Sequence, residues 1–226
     1  MATGDWLLAT AVLLIGYWRL ATGDCSAFIG YWRLATFAKF PAYICGMQKK
    51  TMAELERKSV EGFKQADKTP IRVVLDNIRS MHNVGSVFRT ADAFLLEGID
   101  LCGYTPRPPH RDINKTALGA TETVAWNYFD SATDAIKKLQ DEGYEVWAVE
   151  QVKDSIMLNE LEISGNEKLA IVFGNEVEGV QEEVIAMCKG CIEIPQLGMK
   201  HSLNISVAAG VVLWELCRNR ISAVGN

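Results

Sequence analysis

Metal ligands are scarce in this chain. It holds three histidines, His82, His110 and His201, and no HExxH spacing among them. Its six cysteines, Cys25, Cys45, Cys102, Cys188, Cys191 and Cys217, are scattered, several of them in apolar runs. That is the pattern of buried free thiols in a reducing cytoplasm, not of a disulfide framework. Cys188 and Cys191 form one CxxC, but no second pair accompanies it, so no metal site is expected there. Basic charge is not in excess either: the net charge is -5. Coating nucleic acid by bulk charge is thereby excluded, while a local basic patch is not. No apolar run reaches the ~20 residues that span a bilayer. No G-x-G-x-x-G follows a strand, and neither a phosphate-binding G-x-x-x-x-G-K-[ST] nor a G-x-S-x-G elbow occurs.

What is present is ordinary globular material. The 226 residues are 49% hydrophobic and 23% charged, enough for one good-sized domain and too few for two. The first 46 residues stand apart. IGYWRLAT occurs at Ile15 to Thr22 and again at Ile29 to Thr36, and ATGD begins at both Ala2 and Ala21. The apolar stretch from Trp6 to Tyr17 is too short for a membrane span, and no Lys or Arg precedes it as in a signal peptide. Residues 1–46 are therefore read as a non-native or disordered segment, with Met47 as the initiator. Residues 47–70 form a helical extension, and 71–226 form the domain.

From Thr51 onward, helix and strand patterns alternate. Thr51 to Gln65 reads as a helix ended by Pro70, and Ile71 to Leu75 as a buried strand. His82 to Leu96 has Val84, Val87, Phe88, Ala91 and Leu95 on one helical face. Ile99 to Tyr104 reads as a strand, followed by a proline-rich loop from Thr105 to Asp112. Ser131 to Leu139 is a helix with a serine cap and a Gly143 stop. Tyr144 to Val149, Leu169 to Phe173 and Cys191 to Ile194 are strands, and Gln181 to Met187 is a short helix. Ser202 to Arg218 is a long apolar helix expected to be buried on most sides. Such alternation predicts an α/β domain with a mainly parallel sheet and helices on both faces.

Ligands of such sheets bind beyond the carboxyl ends of the strands. Three polar, glycine-bearing loops fall there: DNIRSMHNVGS, GNEVEG and PQLGMKHSLN. A site made of Asn, Arg, Glu, Ser and backbone suits alignment and electrostatic stabilisation, the work that methyl transfer from an activated cofactor requires. Arg79, Arg89, Arg107, His110, Arg111 and Lys115 supply the local basic cluster.

Asn77 to Phe94, Ile171 to Val180 and Ile192 to Gly210 resemble, in order and spacing, the three motifs of the SpoU/TrmH family of RNA ribose 2′-O-methyltransferases in the SPOUT group. The resemblance extends over about Ile71 to Cys217. It implies a C-terminal trefoil knot, a homodimer packed through its knotted helices, S-adenosyl-L-methionine as cofactor, and tRNA or rRNA as substrate. The first motif's Asn and Arg fall on Asn83 and Arg89, the second's Glu on Glu176, and the third's polar pair on Ser202 and Asn204. Main chain at Gly174, Ile194 and Leu203, with Val149 and Glu150, would hold the cofactor. Arg89, His110, Arg111 and Lys115 would meet RNA. Gln196 stands where the family often has Met, and Val180 where Leu is usual.

Each of these residues also has a plainer role. Arg89 could pair with Asp92 three residues on. Asn83 and Ser202 could cap the helices they precede. Glu176 could be an ordinary loop carboxylate, and His110 and Arg111 part of a solvated loop. Two other functions remain open at this stage: a base methyltransferase of the same fold, and an RNA-binding relative without catalysis.

Overall fold

The computed structural model describes residues 49–224 apart from Met52, Glu56, 164–166 and 200–201, with side chains as far as Arg218. The repeats of residues 1–46, and the reading of that segment as foreign to the fold, lie outside the described residues. A compact unit begins at Lys58.

The helix expected over Thr51 to Gln65 is two pieces. Ala53–Leu55 is a single 3-10 turn, and α1 spans Val60–Gln65. Ser59 separates them because its hydroxyl accepts the N–H of Gly62 at 3.0 Å, a cap that starts a new helix. Phe63 carries α1 into the core.

The remaining elements follow in order: β1 (Thr69–Asp76), α2 (Met81–Ala93), β2 (Leu96–Cys102), α3 (Arg111–Ala117), α4 (Ala120–Thr123), β3 (Trp126–Phe129), α5 (Ala132–Asp141), β4 (Glu145–Val149), β5 (Ile156–Met157), β6 (Leu169–Phe173), α6 (Glu182–Ile185), β7 (Gly190–Glu193) and α7 (Ile205–Val224). The strands form one sheet in the order β3-β2-β1-β6-β4-β7-β5, and every ladder is parallel. Alternate strand residues feed two apolar clusters. Val73, Leu75, Ile99, Ile171 and Ile192 pack with α2, α3 and α7. Val74, Val146, Ala148, Ala170 and Val172 pack with α5 and Val184 of α6. Helices on both faces and an all-parallel sheet match the expected architecture. No helix among the described residues is long and apolar enough to cross a membrane.

Several boundaries differ from the sequence reading. The chain leaves α2 at Ala93, and Leu95, at φ 55°, turns it directly into β2. The proline-rich loop ends in α3, which sequence periodicity did not reveal because only Ile113 and Ala117 of its seven residues are buried. Edge strand β3 was also missed, since its WNYF run is only half-buried. Helix α7 starts at Ile205, not Ser202; the Asn204 side chain accepts the N–H of Ser206 at 2.9 Å and so takes the capping role expected of Ser202. One face of α7 is buried, including Leu216 and Cys217, while Val207, Val211 and Trp214 are 51%, 40% and 53% exposed.

Close packing of α2 on α3 depends on Gly85. A Cβ there would lie 2.2 Å from both Ile113 O and Thr116 Oγ1. Thr116 also donates to the carbonyl of His82 at 3.0 Å.

Among the described residues, one ion pair is buried, between β1 and β2. Arg72 Nε and Nη2 donate to the two oxygens of Asp100 at 2.7 and 2.6 Å, and Asn127 Nδ2 donates to Oδ1 at 2.9 Å. These contacts join β1, β2 and β3. Removing one partner strands a buried charge, so Asp100→Ala is expected to cost about 3–5 kcal/mol of stability. Chemical denaturation of the variant against the unaltered protein measures it.

Candidate functional site

Parallel register sets the site. Leu75 pairs with Phe173, Phe173 with Val149, and Val149 with Ile192. Four adjacent strands therefore end in one row, and the residues just beyond it, Asn77, Gly174, Glu150 and Ile194, begin four loops on the same edge of the sheet. All four are half-buried. This is where a parallel sheet presents free chain to a ligand.

The second-motif loop folds tightly on itself. A Cβ on Gly174 would lie 2.2 Å from the backbone carbon of Gly179, and Gly179 adopts φ 72°. Asn175 and Gly179 exchange backbone hydrogen bonds at 3.0 and 2.9 Å. The Glu150 carboxylate closes the loop's far end, accepting from Val180 N at 2.9 Å, while its other oxygen accepts from Gln151 N at 2.9 Å. Glu150 thus shapes the second-motif loop with its side chain.

Glu176 reaches from that loop to the start of α2. Its carboxylate accepts the N–H groups of Arg79 at 3.0 Å and Ser80 at 3.2 Å, and Asn83 Nδ2 at 3.2 Å. Partial burial raises its carboxyl pKa, but the Arg79, Asn83 and Ser80 hydrogen bonds outweigh this and hold it below the ordinary 4.5. Asn83 in turn accepts from Asn204 Nδ2 at 3.2 Å. One chain of contacts, Glu176 to Asn83 to Asn204, joins all three motif loops. Capping of α2 falls to Ser80, whose hydroxyl accepts from Asn83 N, so the capping role considered for Asn83 is corrected.

Two asparagines that the sequence reading left without a role complete the scaffold. Asn175, 8% exposed, donates to Asn77 O at 2.8 Å and Tyr104 OH at 2.7 Å, and accepts from Val177 N and Glu178 N. Asn77, at φ 54°, accepts from Tyr104 N and donates to Asp76. Burial, with the charge of Glu183, pushes Asp76 up to about 6. The available signal was position: each asparagine lies within two residues of a strand's end, where local side-chain hydrogen bonds serve a turn, and Asn77 also takes the left-handed backbone that asparagine tolerates.

Arg89 stands apart from this network. It lies six residues beyond Asn83, about 120° around the helix. It is exposed and has no hydrogen-bond or ion partner among the described residues. The pairing with Asp92 is absent; Asp92 accepts from Thr123 instead, at 2.6 Å. Ser202 and Leu203 are exposed beside Asn204. His110 is not in a solvated loop: its Nδ1 accepts from Asp112 N and caps α3. Lys115 pairs with Asp112 at 2.6 Å, while Arg111, at the first position of α3, is exposed.

Comparisons with known proteins follow the same segment. A family model described as the SpoU rRNA Methylase family matches residues 70–214. The chain is similar to a tRNA (guanosine(18)-2′-O)-methyltransferase of Thermus thermophilus, 31% identical over 75% of this chain and 86% of that one. It is also similar to a 23S rRNA (guanosine-2′-O-)-methyltransferase of Vibrio parahaemolyticus, 30% identical over 77% of this chain and 69% of the other. Among solved structures, an AdoMet-bound rRNA methyltransferase from Sinorhizobium meliloti superposes with a TM-score of 0.62 at 27% identity. That alignment covers 72% of this chain and 61% of the solved one.

The Glu176 clamp is open to a direct test. Glu176→Gln replaces one acceptor oxygen with an amide donor, which must face either the Arg79 N–H or the donors of Ser80 and Asn83. At this exposed position, solvent screening keeps the expected loss to about 1–2 kcal/mol. Because the folded state lowers the Glu176 pKa, its contribution is full above 4.5 and fades as pH falls through the lowered value. Thermal melting should therefore show a deficit for the variant near neutrality that shrinks in acid.

Proposed function

Because the chain belongs to the SpoU rRNA Methylase family, we propose that it transfers the methyl group of S-adenosyl-L-methionine to a ribose 2′-hydroxyl in tRNA or rRNA. The observation that carries this reading is the single contact chain Glu176–Asn83–Asn204, which gathers all three motif loops over the row of strand ends. The residues present suit the cofactor. Half-buried Val149, Gly174 and Ile194 with exposed Leu203 offer apolar flanks edged by main chain, as a flat adenosyl group requires. When bound, S-adenosyl-L-methionine supplies a methyl group already activated on a sulfonium.

The protein's share is alignment and charge. Glu176, Asn83 and Asn204 hold the loops in register, and the Ser202 hydroxyl is exposed beside them. Arg89, free of any carboxylate partner among the described residues, receives the acceptor nucleotide and stabilises the charge that grows on its 2′-oxygen. Arg111, His110 and Lys115 on and before α3 contribute to the RNA-facing surface.

Two features of the architecture are part of the proposal. The C-terminal segment is threaded as a trefoil knot, in keeping with β7 lying between the earlier strands β4 and β5. The chain works as a homodimer. Val207, Val211 and Trp214 make an exposed apolar stripe on α7, beside a groove lined by Leu158, Ile194, Pro195 and Gly210. An exposed stripe of this kind marks an association surface. Sedimentation at micromolar concentration should give twice the chain mass, and Trp214→Glu should shift it to one. A monomeric unaltered protein refutes the assembly.

Mapping 2′-O-methyl groups in RNA from cells with and without the gene tests the activity itself. Within the site, Arg89→Ala is expected to lower single-turnover transfer by about 10²–10³-fold while cofactor affinity, read by calorimetry, is unchanged. Arg89→Lys should rescue poorly, since lysine lacks the planar fork. Near-normal transfer by the alanine variant removes Arg89 from the mechanism.

A further inference from the structure

Beyond the row of strand ends, the loop after β2 carries an arginine held over an aromatic ring. The Arg107 guanidinium lies 4.0 Å over the ring of Tyr128 in edge strand β3. Tyr128 packs against the core, and its hydroxyl donates to Gly103 O at 3.1 Å. The loop between is equally fixed. The hydroxyl of Thr105, 2% exposed, accepts from Ile78 N at 3.0 Å and donates to Leu75 O at 2.9 Å. Tyr104 is bound to Asn77 and Asn175 of the first and second motif loops. Arg107 therefore projects from backbone bolted to the site, and its side chain rests on a ring that cannot turn away.

Stacking occupies the face of a guanidinium and leaves its N–H edge free. Arg107 is exposed and has no carboxylate partner among the described residues. Much of the ordering cost of a long side chain is already met, so the fork is poised for a bidentate anion. Neighbouring candidates differ: Lys115 is paired with Asp112, and His110 spends Nδ1 on capping α3. Tyr128 stands two strands out from β1, about 10 Å across the sheet.

We propose that Arg107, stacked on Tyr128, binds a backbone phosphate of a nucleotide flanking the acceptor, and so positions the RNA strand. This rests on the RNA-methyltransferase reading. Arg107 is a positioning residue: it holds substrate and takes no part in the bond changes. Its contribution is electrostatic and independent of base identity.

The test is binding of labelled bulk tRNA and bulk rRNA across a salt series, with cofactor affinity and transfer kinetics measured alongside. Arg107→Ala should weaken RNA binding about tenfold at moderate salt and make the log–log salt slope shallower by about 1. KM for RNA should rise while kcat at saturation and cofactor affinity stay unchanged. Arg107→Lys should keep the slope but not the affinity. Tyr128→Leu, which removes the ring, should reproduce part of the Arg107→Ala loss of RNA affinity with cofactor affinity unchanged. An Arg107→Ala protein with normal cofactor affinity and an unchanged salt slope overturns the proposal and leaves the activity standing. Failure of the unaltered protein to bind or methylate either RNA pool overturns both.

Discussion

Glu176 stands where three parts of the chain that are far apart in sequence must meet. A parallel sheet delivers its loops to one edge but does not fix them to one another. The carboxylate does so by accepting two backbone N–H groups that open α2 and the Asn83 amide, which in turn receives Asn204. Backbone donors at a helix start need an acceptor, and an anion is the best one. The same contacts explain why this exposed side chain is held ionised below its ordinary range. With the clamp in place, the second-motif loop, closed by Glu150, is held against the start of α2.

Much of this was legible in the sequence. Continuous apolar runs such as LAIVF announce strands buried on both faces, and β6 coincides with Leu169 to Phe173 as read. The positions of the polar loops at strand ends followed from the same alternation. What could not be read was pairing across distance. Nothing local says that Glu176 would accept from Arg79 N, or that Asn175 would hold Asn77 O and Tyr104 OH. Short elements with little buried surface, α3 and β3, lack the periodicity that identifies longer ones. Capping was misread at both long motif helices for one reason. Several adjacent residues can cap, and tertiary contacts choose among them: Ser80 caps α2, which leaves the Asn83 amide free for Glu176, and Asn204 caps α7 in place of Ser202.

Charge is distributed with similar economy on an acidic body. The buried Arg72 is fully committed to Asp100, and Lys189 and Lys138 lie near carboxylates on the surface. Arg79, Arg89, Arg107 and Arg111, by contrast, are exposed without a carboxylate partner among the described residues. They lie on the loops and helices that follow β1 and β2. An overall negative charge with local unpaired arginines favours anion binding where those arginines lie over non-specific attachment elsewhere.

The long reach of these contacts also sets when the site can exist during synthesis. Asn83 and Asn204 are 121 residues apart in the chain, so at ~5–20 residues per second the first is made roughly 6–24 s before its partner. The pairing of β1 with β6 likewise waits for Leu169, whereas β1 and β2 can join early. A nascent chain therefore displays Arg79 and Arg89 well before it can close the loops around a cofactor. Contacts that span more than a hundred residues make closure of the site a late folding event.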